Sequence, residues 1–101
     1  MDMHGSEMNT LFEAILSLQS AEECAMFFED ICTIKELQAM AQRLQVAQLL
    51  ESGRNYVEIY QDTGVSSATI CRVNKCLMYG RGGYRIALDR MKEAEENNED
   101  R

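Results

Sequence analysis

The pattern that most restricts this chain lies in residues 34–52. At about 100° per residue, Lys35, Gln38, Gln42, Gln45 and Ser52 fall on one narrow polar stripe, while Ile34, Leu37, Met40, Ala41, Leu44, Ala47, Leu49 and Leu50 cover much of the remaining surface. A helix so broadly apolar has to be buried on more than one side. A chain of 101 residues and 11.5 kDa has little else to bury it with. The expectation is an all-α fold whose core a second copy completes, that is, a homodimer. Arg43 interrupts the pattern, because it lines up with Met40, Ala47 and Leu50 on the apolar side. A guanidinium placed there needs a partner. It can snorkel to solvent, pair with a Glu elsewhere, or hold an anionic ligand.

The rest of the chain also reads as helices. No segment alternates apolar and polar residues as a strand would, and the absence of proline leaves long helices uninterrupted. Ser6 is expected to cap a helix with Met8, Leu11, Phe12, Ile15 and Leu16 on one face. Ser20 with Glu23 has the spacing of a capping box, followed by Cys24, Phe27, Phe28 and Ile31, and Thr33 with Glu36 repeats it. Gly53 should end the long helix as a left-handed cap. A short helix opening at Asn55 and a longer one over Ser67–Tyr79 should follow. Gly80, Gly82 and Gly83 should then break the chain before a last helix, about 84–94, that presents Ala87, Leu88 and Met91. Residues 1–94 read as one helical domain and the acidic residues 95–101 as a disordered tail.

Several function classes find no support. No run of 18 apolar residues exists to cross a membrane. The first five residues show no basic stretch leading into an apolar one, so a cytoplasmic setting is expected. Cys24, Cys32, Cys71 and Cys76 form no Cys-x-x-Cys pair, and His4 is the single histidine, so buried reduced thiols are expected rather than a metal site. Gly80-Arg81-Gly82-Gly83 lacks the Lys-Ser/Thr ending of a phosphate loop. No catalytic constellation and no cofactor motif is visible, so no enzyme is expected. The net charge of -7 hides an asymmetry. Residues 1–53 carry nine acids and two bases, residues 54–92 seven bases and three acids, and residues 93–101 five acids and one base. A basic segment between acidic ones points to a local anionic partner.

That basic segment contains a helix-turn-helix pattern over about residues 56–79. Ile59 faces inward on the first helix, Gly64 supplies the turn, Val65 plugs the angle and Ser66 caps the second helix. Ile70, Val73 and Leu77 fix one face of the second helix to the core. The opposite side shows Ser67, Ala68, Thr69, Cys71, Arg72 and Lys75, and with Ser66 these are the expected DNA-contacting residues. Small residues let the backbone approach base edges, hydroxyls reach bases or phosphates, and the two cations meet phosphate. Tyr60 stands where common patterns have a small residue, four before the turn glycine, and is expected to alter the helix crossing. A helical hairpin without a DNA role is the alternative.

Thr33 and Arg43 separated by nine residues, the leucine-rich helix ending at Gly53, and Gly64-Val65-Ser66-Ser67-Ala68-Thr69-Ile70-Cys71-Arg72 together resemble the Trp repressor superfamily, in particular its YerC/YecD-type branch. The resemblance extends over roughly residues 8–92. It implies an intertwined helical homodimer with a helix-turn-helix head on a double-stranded DNA operator, and a transcriptional repressor gated by a small ligand. Ser67, Ala68 and Thr69 match positions that face bases. The base-contacting arginine before the short helix is replaced near Tyr56 and Val57. Thr33, Arg43 and Arg72 match ligand-side positions. Val73 stands where a glycine makes room for an indole, and Cys76 where a serine receives the ligand's amino group. The resemblance thus implies an effector set of Thr33, Arg43, Arg72, Val73 and Cys76, and an amino-acid or carboxylate corepressor other than tryptophan. A regulator that binds DNA without an effector, and a dimeric interaction module without DNA affinity, remain the alternatives.

Overall fold

The computed structural model describes residues 3–99, which form six helices and no strand. In order they are α1 (Ser6–Leu16), α2 (Ala21–Ile31), α3 (Ile34–Glu51), α4 (Tyr56–Thr63), α5 (Ser67–Tyr79) and α6 (Gly83–Glu99). By their internal contacts they group into two compact units that divide between Leu37 and Gln38.

In the first unit local chemistry sets the helix ends. The Ser20 hydroxyl accepts the Glu23 N–H at 3.1 Å, and the Glu23 carboxylate accepts the Gln19 N–H at 2.9 Å. The Thr33–Glu36 box is fully reciprocal: the Thr33 hydroxyl accepts the Glu36 N–H at 3.1 Å and the Glu36 carboxylate accepts the Thr33 N–H at 2.8 Å. The Thr33 N–H first, and the Thr33 hydroxyl second, stabilise the ionised carboxylate and hold the Glu36 pKa below its usual value. Ser6 departs from expectation. It is the first helical residue, Gly5 is the N-cap, and no side chain caps α1. Neither α1 nor α2 contains a buried residue. Their apolar positions are at most half-buried, with Leu16 83% and Met26 61% exposed, and Ile34 at the start of α3 is 74% exposed.

The second unit has a core of its own. Val46 and Ala47 from α3, Ile59 from α4, Val65 from the turn, Ile70 and Val73 from α5 and Leu88 from α6 are buried together, flanked by Leu44, Leu49, Leu50, Leu77 and Tyr84. Helix α3 therefore buries one side, centred on Val46 and Ala47, while Met40 stays 42% exposed. At its end the Arg54 N–H bonds the Leu49 carbonyl and the Gly53 N–H bonds the Leu50 carbonyl, both at 3.1 Å, around Gly53 at φ 94°. This is a Schellman ending, and it needs the left-handed residue that glycine supplies. Helix α6 runs on to Glu99, so residues 95–99 are helical rather than a disordered tail, and residues 100 and 101 lie outside the described residues. Composition misled there: the last residues carry charge but no glycine or proline, and Glu and Ala extend a helix already nucleated on Leu88.

Candidate nucleic-acid interface

Helices α4 and α5 form the expected pair, and local bonds explain their junction. Asn55 caps α4 by accepting the Glu58 N–H at 2.9 Å. Gly64 closes α4 at φ 72°, its N–H bonding the Tyr60 carbonyl at 2.8 Å. The Thr63 hydroxyl donates to the Ile59 carbonyl at 2.7 Å and accepts the Val65 N–H at 3.1 Å. Val65 is thus held with its side chain in the core. Ser66 then caps α5. Ile59, Val65, Ile70 and Val73, all buried, lock the two helices together. Tyr60 does not wedge between them: it is 57% exposed.

The locked inner face leaves a defined outer one. Ser67, Ala68, Arg72 and Lys75 are exposed on α5, and Thr69 and Cys71 are half-buried. The Ser66 hydroxyl accepts the Thr69 N–H at 3.3 Å and donates to Thr69 Oγ1 at 3.1 Å, so the cap occupies it in both directions. Thr69 keeps its own hydroxyl proton for an outside acceptor. Arg72 and Lys75 take part in no ion pair among the described residues. An exposed helix start of small and hydroxyl residues, followed by two uncompensated cations, suits a phosphate-lined groove.

Beside this face lies a cleft of about 470 Å³ lined by Ala39, Gln42 and Arg43 from α3, Gly64, Val65 and Ser66 from the turn, and Thr69 and Arg72 from α5. It holds two guanidinium groups and no carboxylate. Arg43 is half-buried, its Nε donating to the Ala39 carbonyl at 3.2 Å. No described ion pair includes it, so the Glu partner that one reading required is not there.

Of the expected effector set, the cleft brings together Arg43 and Arg72 alone. Val73 is 1% exposed and belongs to the core, Cys76 is exposed outside the cleft, and Thr33 lies in the other unit with its hydroxyl engaged in capping α3. Gln42 and Ala39 line the cleft and were missed in the sequence. The available signal was spacing: Ala39 is one turn before Arg43, and only a small residue there leaves room beside a guanidinium. The four cysteines are free thiols, and no described cluster of His, Cys, Asp or Glu could hold a metal. No described helix is long and apolar enough to cross a membrane.

The chain is similar to known proteins over most of its length. The uncharacterized protein YerC of Bacillus subtilis is 53% identical over 93 residues, covering 92% of this chain and 89% of YerC. The crystal structure of a TrpR-like protein from Eubacterium eligens superposes with a TM-score of 0.86 at 43% identity, covering 89% of this chain and 93% of that one. A candidate Trp repressor from Staphylococcus aureus gives a TM-score of 0.86 at 44% identity, covering 91% of this chain and 95% of that one. The family described as Trp repressor protein, one of DNA-binding regulators and not of enzymes, matches residues 6–92, and with its six helices and its helix-turn-helix over α4 and α5 this chain belongs to it.

Proposed function

We propose that this protein is a homodimeric transcriptional repressor of the bacterial cytoplasm that reads a palindromic operator with α5. The observation that carries this reading is the outer face of α5: Ser67 and Ala68 exposed at its start, and Arg72 and Lys75 exposed without acidic partners. The dimer rests on the uncovered apolar faces of α1, α2 and the start of α3. Two reading heads in one dimer suit half-sites roughly 34 Å apart. The test is selection of bound sequences from genomic fragments, followed by binding over a salt series. A selected palindrome and an affinity that falls steeply with salt support the reading. Binding to no fragment overturns it and leaves an interaction module.

The cleft supports control by a small carboxylate. Two guanidinium groups from α3 and α5 can grip one carboxylate, and an anion bridging those helices would favour one angle of the head. Val73 fills core space, so the indole-sized slot a glycine would leave is absent, and tryptophan is not the expected effector. Calorimetry with all twenty amino acids, with and without operator, decides this. An amino acid other than tryptophan that binds, and strengthens operator binding, supports it. Silence from every amino acid favours a regulator that binds DNA constitutively.

A further inference from the structure

The seven bases of residues 54–92 are not electrically equivalent. Arg85 pairs with Glu51. Arg54 is held twice: its Nε meets Glu58 at 3.0 Å and its other guanidinium nitrogen meets Asp62. Arg72, Lys75, Arg81, Arg90 and Lys92 enter no described ion pair. Arg54 is also the cation nearest the start of α4, and α4 itself contains no Lys or Arg. Its backbone is pinned by the bond of its N–H to Leu49, so the side chain leaves from a fixed point and runs along α4, past residue 58 to residue 62. Helix α4 is the helix that crosses the DNA backbone in a helix-turn-helix. A cation there would ordinarily meet phosphate whatever the base sequence.

We propose that Glu58 and Asp62 form a clamp that withholds Arg54 from DNA phosphate and so lowers affinity for non-specific DNA relative to operator. The inference rests on the DNA-reading function proposed above and adds a specificity role for residues outside the reading face. Phosphate contacts by Lys and Arg supply essentially all non-specific affinity. A guanidinium that two carboxylates already neutralise releases no counterion when DNA arrives. Tyr56, Val57 and Tyr60, also exposed on α4, are uncharged. With Arg54 clamped, α4 presents no uncommitted cation, and sequence-independent attraction is left to Arg72, Lys75 and the residues beyond α5. All three clamp side chains are 41–48% exposed, so the pairs add little to folding. Their consequence lies in binding.

The test compares wild type, the double variant Glu58→Gln/Asp62→Asn, Arg54→Ala, and the triple variant combining them. Each is titrated by anisotropy onto a selected operator and a scrambled duplex over a salt series. The double variant is expected to bind the scrambled duplex roughly two- to fivefold more tightly, with a salt slope steeper by about one phosphate. Its operator-to-scrambled ratio falls. In the triple variant both gains vanish, because the released guanidinium is absent. Gains that persist in the triple variant mean that the acids act by repelling DNA, and overturn the clamp. A double variant indistinguishable from a wild type that binds operator overturns the clamp alone, whereas a wild type that binds neither duplex overturns the DNA-reading function with it. Asp62→Asn by itself, which keeps the Glu58 carboxylate in the first turn of α4, repeats the measurement should the double variant fold poorly.

Discussion

Residues 1–37 and residues 38–99 are built from similar amphipathic helices with opposite results. The second group buries seven apolar side chains among its own helices. In the first, α1 and α2 bury none, although Leu11, Phe12, Ile15, Phe27 and Phe28 are as apolar as anything in the second. Charge separates them too: the first 37 residues hold eight acids and one base. A segment that is apolar on one face and acidic elsewhere suits the surface that the proposed dimer would supply better than it suits nucleic acid. A segment with its own core and free cations can meet DNA as a rigid body.

The sharpest way to break this contrast is to attack the second core. Ile70→Ala removes a fully buried side chain where α4 and α5 lock. It should cost about 2–5 kcal/mol in urea unfolding and abolish operator binding. Wild-type stability would show that core to be dispensable. Next in size is the dependence on a second copy proposed for the first group. Sedimentation should give about 23 kDa, twice the 11.5 kDa chain. Leu16→Glu/Ile34→Glu should shift it toward the single-chain mass, since each apolar side chain buried between copies is worth roughly 1.5–3 kcal/mol. A well-folded wild-type monomer would mean that the uncovered faces need no partner.

Smaller effects test the local bonds in each group. Ser66→Ala removes the α5 cap and should lower stability by about 1 kcal/mol, with a larger relative loss of operator selectivity because Thr69 loses its orienting hydroxyl. Equal losses on operator and scrambled duplex would separate Thr69 from base reading. The smallest effect belongs to Glu36 in the first group. Its carboxyl is held below its usual 4.5 by the Thr33 N–H and hydroxyl. A lowered folded-state pKa stabilises the helix start above pH 4.5, and that contribution is lost as the pH falls through the folded value. The difference in melting temperature between wild type and Glu36→Gln should therefore be present at pH 7 and shrink steadily as the pH is taken below 4.5. A difference that does not change with pH over that descent would remove the carboxylate from the account of that cap.

Much of the second group was legible from residue order. Ile59, Gly64, Val65, Ser66, Ile70 and Val73 sit where helical periodicity and turn chemistry put them, because each is fixed by neighbours within a few positions. Helix ends followed wherever a hydroxyl or a left-handed glycine decided them, as at Ser20, Thr33, Gly53 and Gly64. The extent of α6 escaped because a charged composition does not say whether a helix already nucleated will propagate.

The candidate cleft was legible only in part. Arg43 stood out as a charge on an apolar face, and Arg72 as a cation on the reading helix. That the two share one cleft, while Val73 turns into the core and Cys76 points elsewhere, depends on how α3 and α5 pack across a separation of about thirty residues. The pairing of Arg54 with Glu58 and Asp62 was likewise hidden, although all three lie within nine positions. Spacing permits a guanidinium to reach either solvent or an acid, and the pinned backbone at Gly53–Arg54 selects the acid. Sequence alone determined which faces are apolar and those helix ends that a capping side chain or a left-handed glycine sets, since those depend on side-chain chemistry and local hydrogen bonds. Only the tertiary structure decided which charges meet, because that depends on distances between elements that no periodicity encodes.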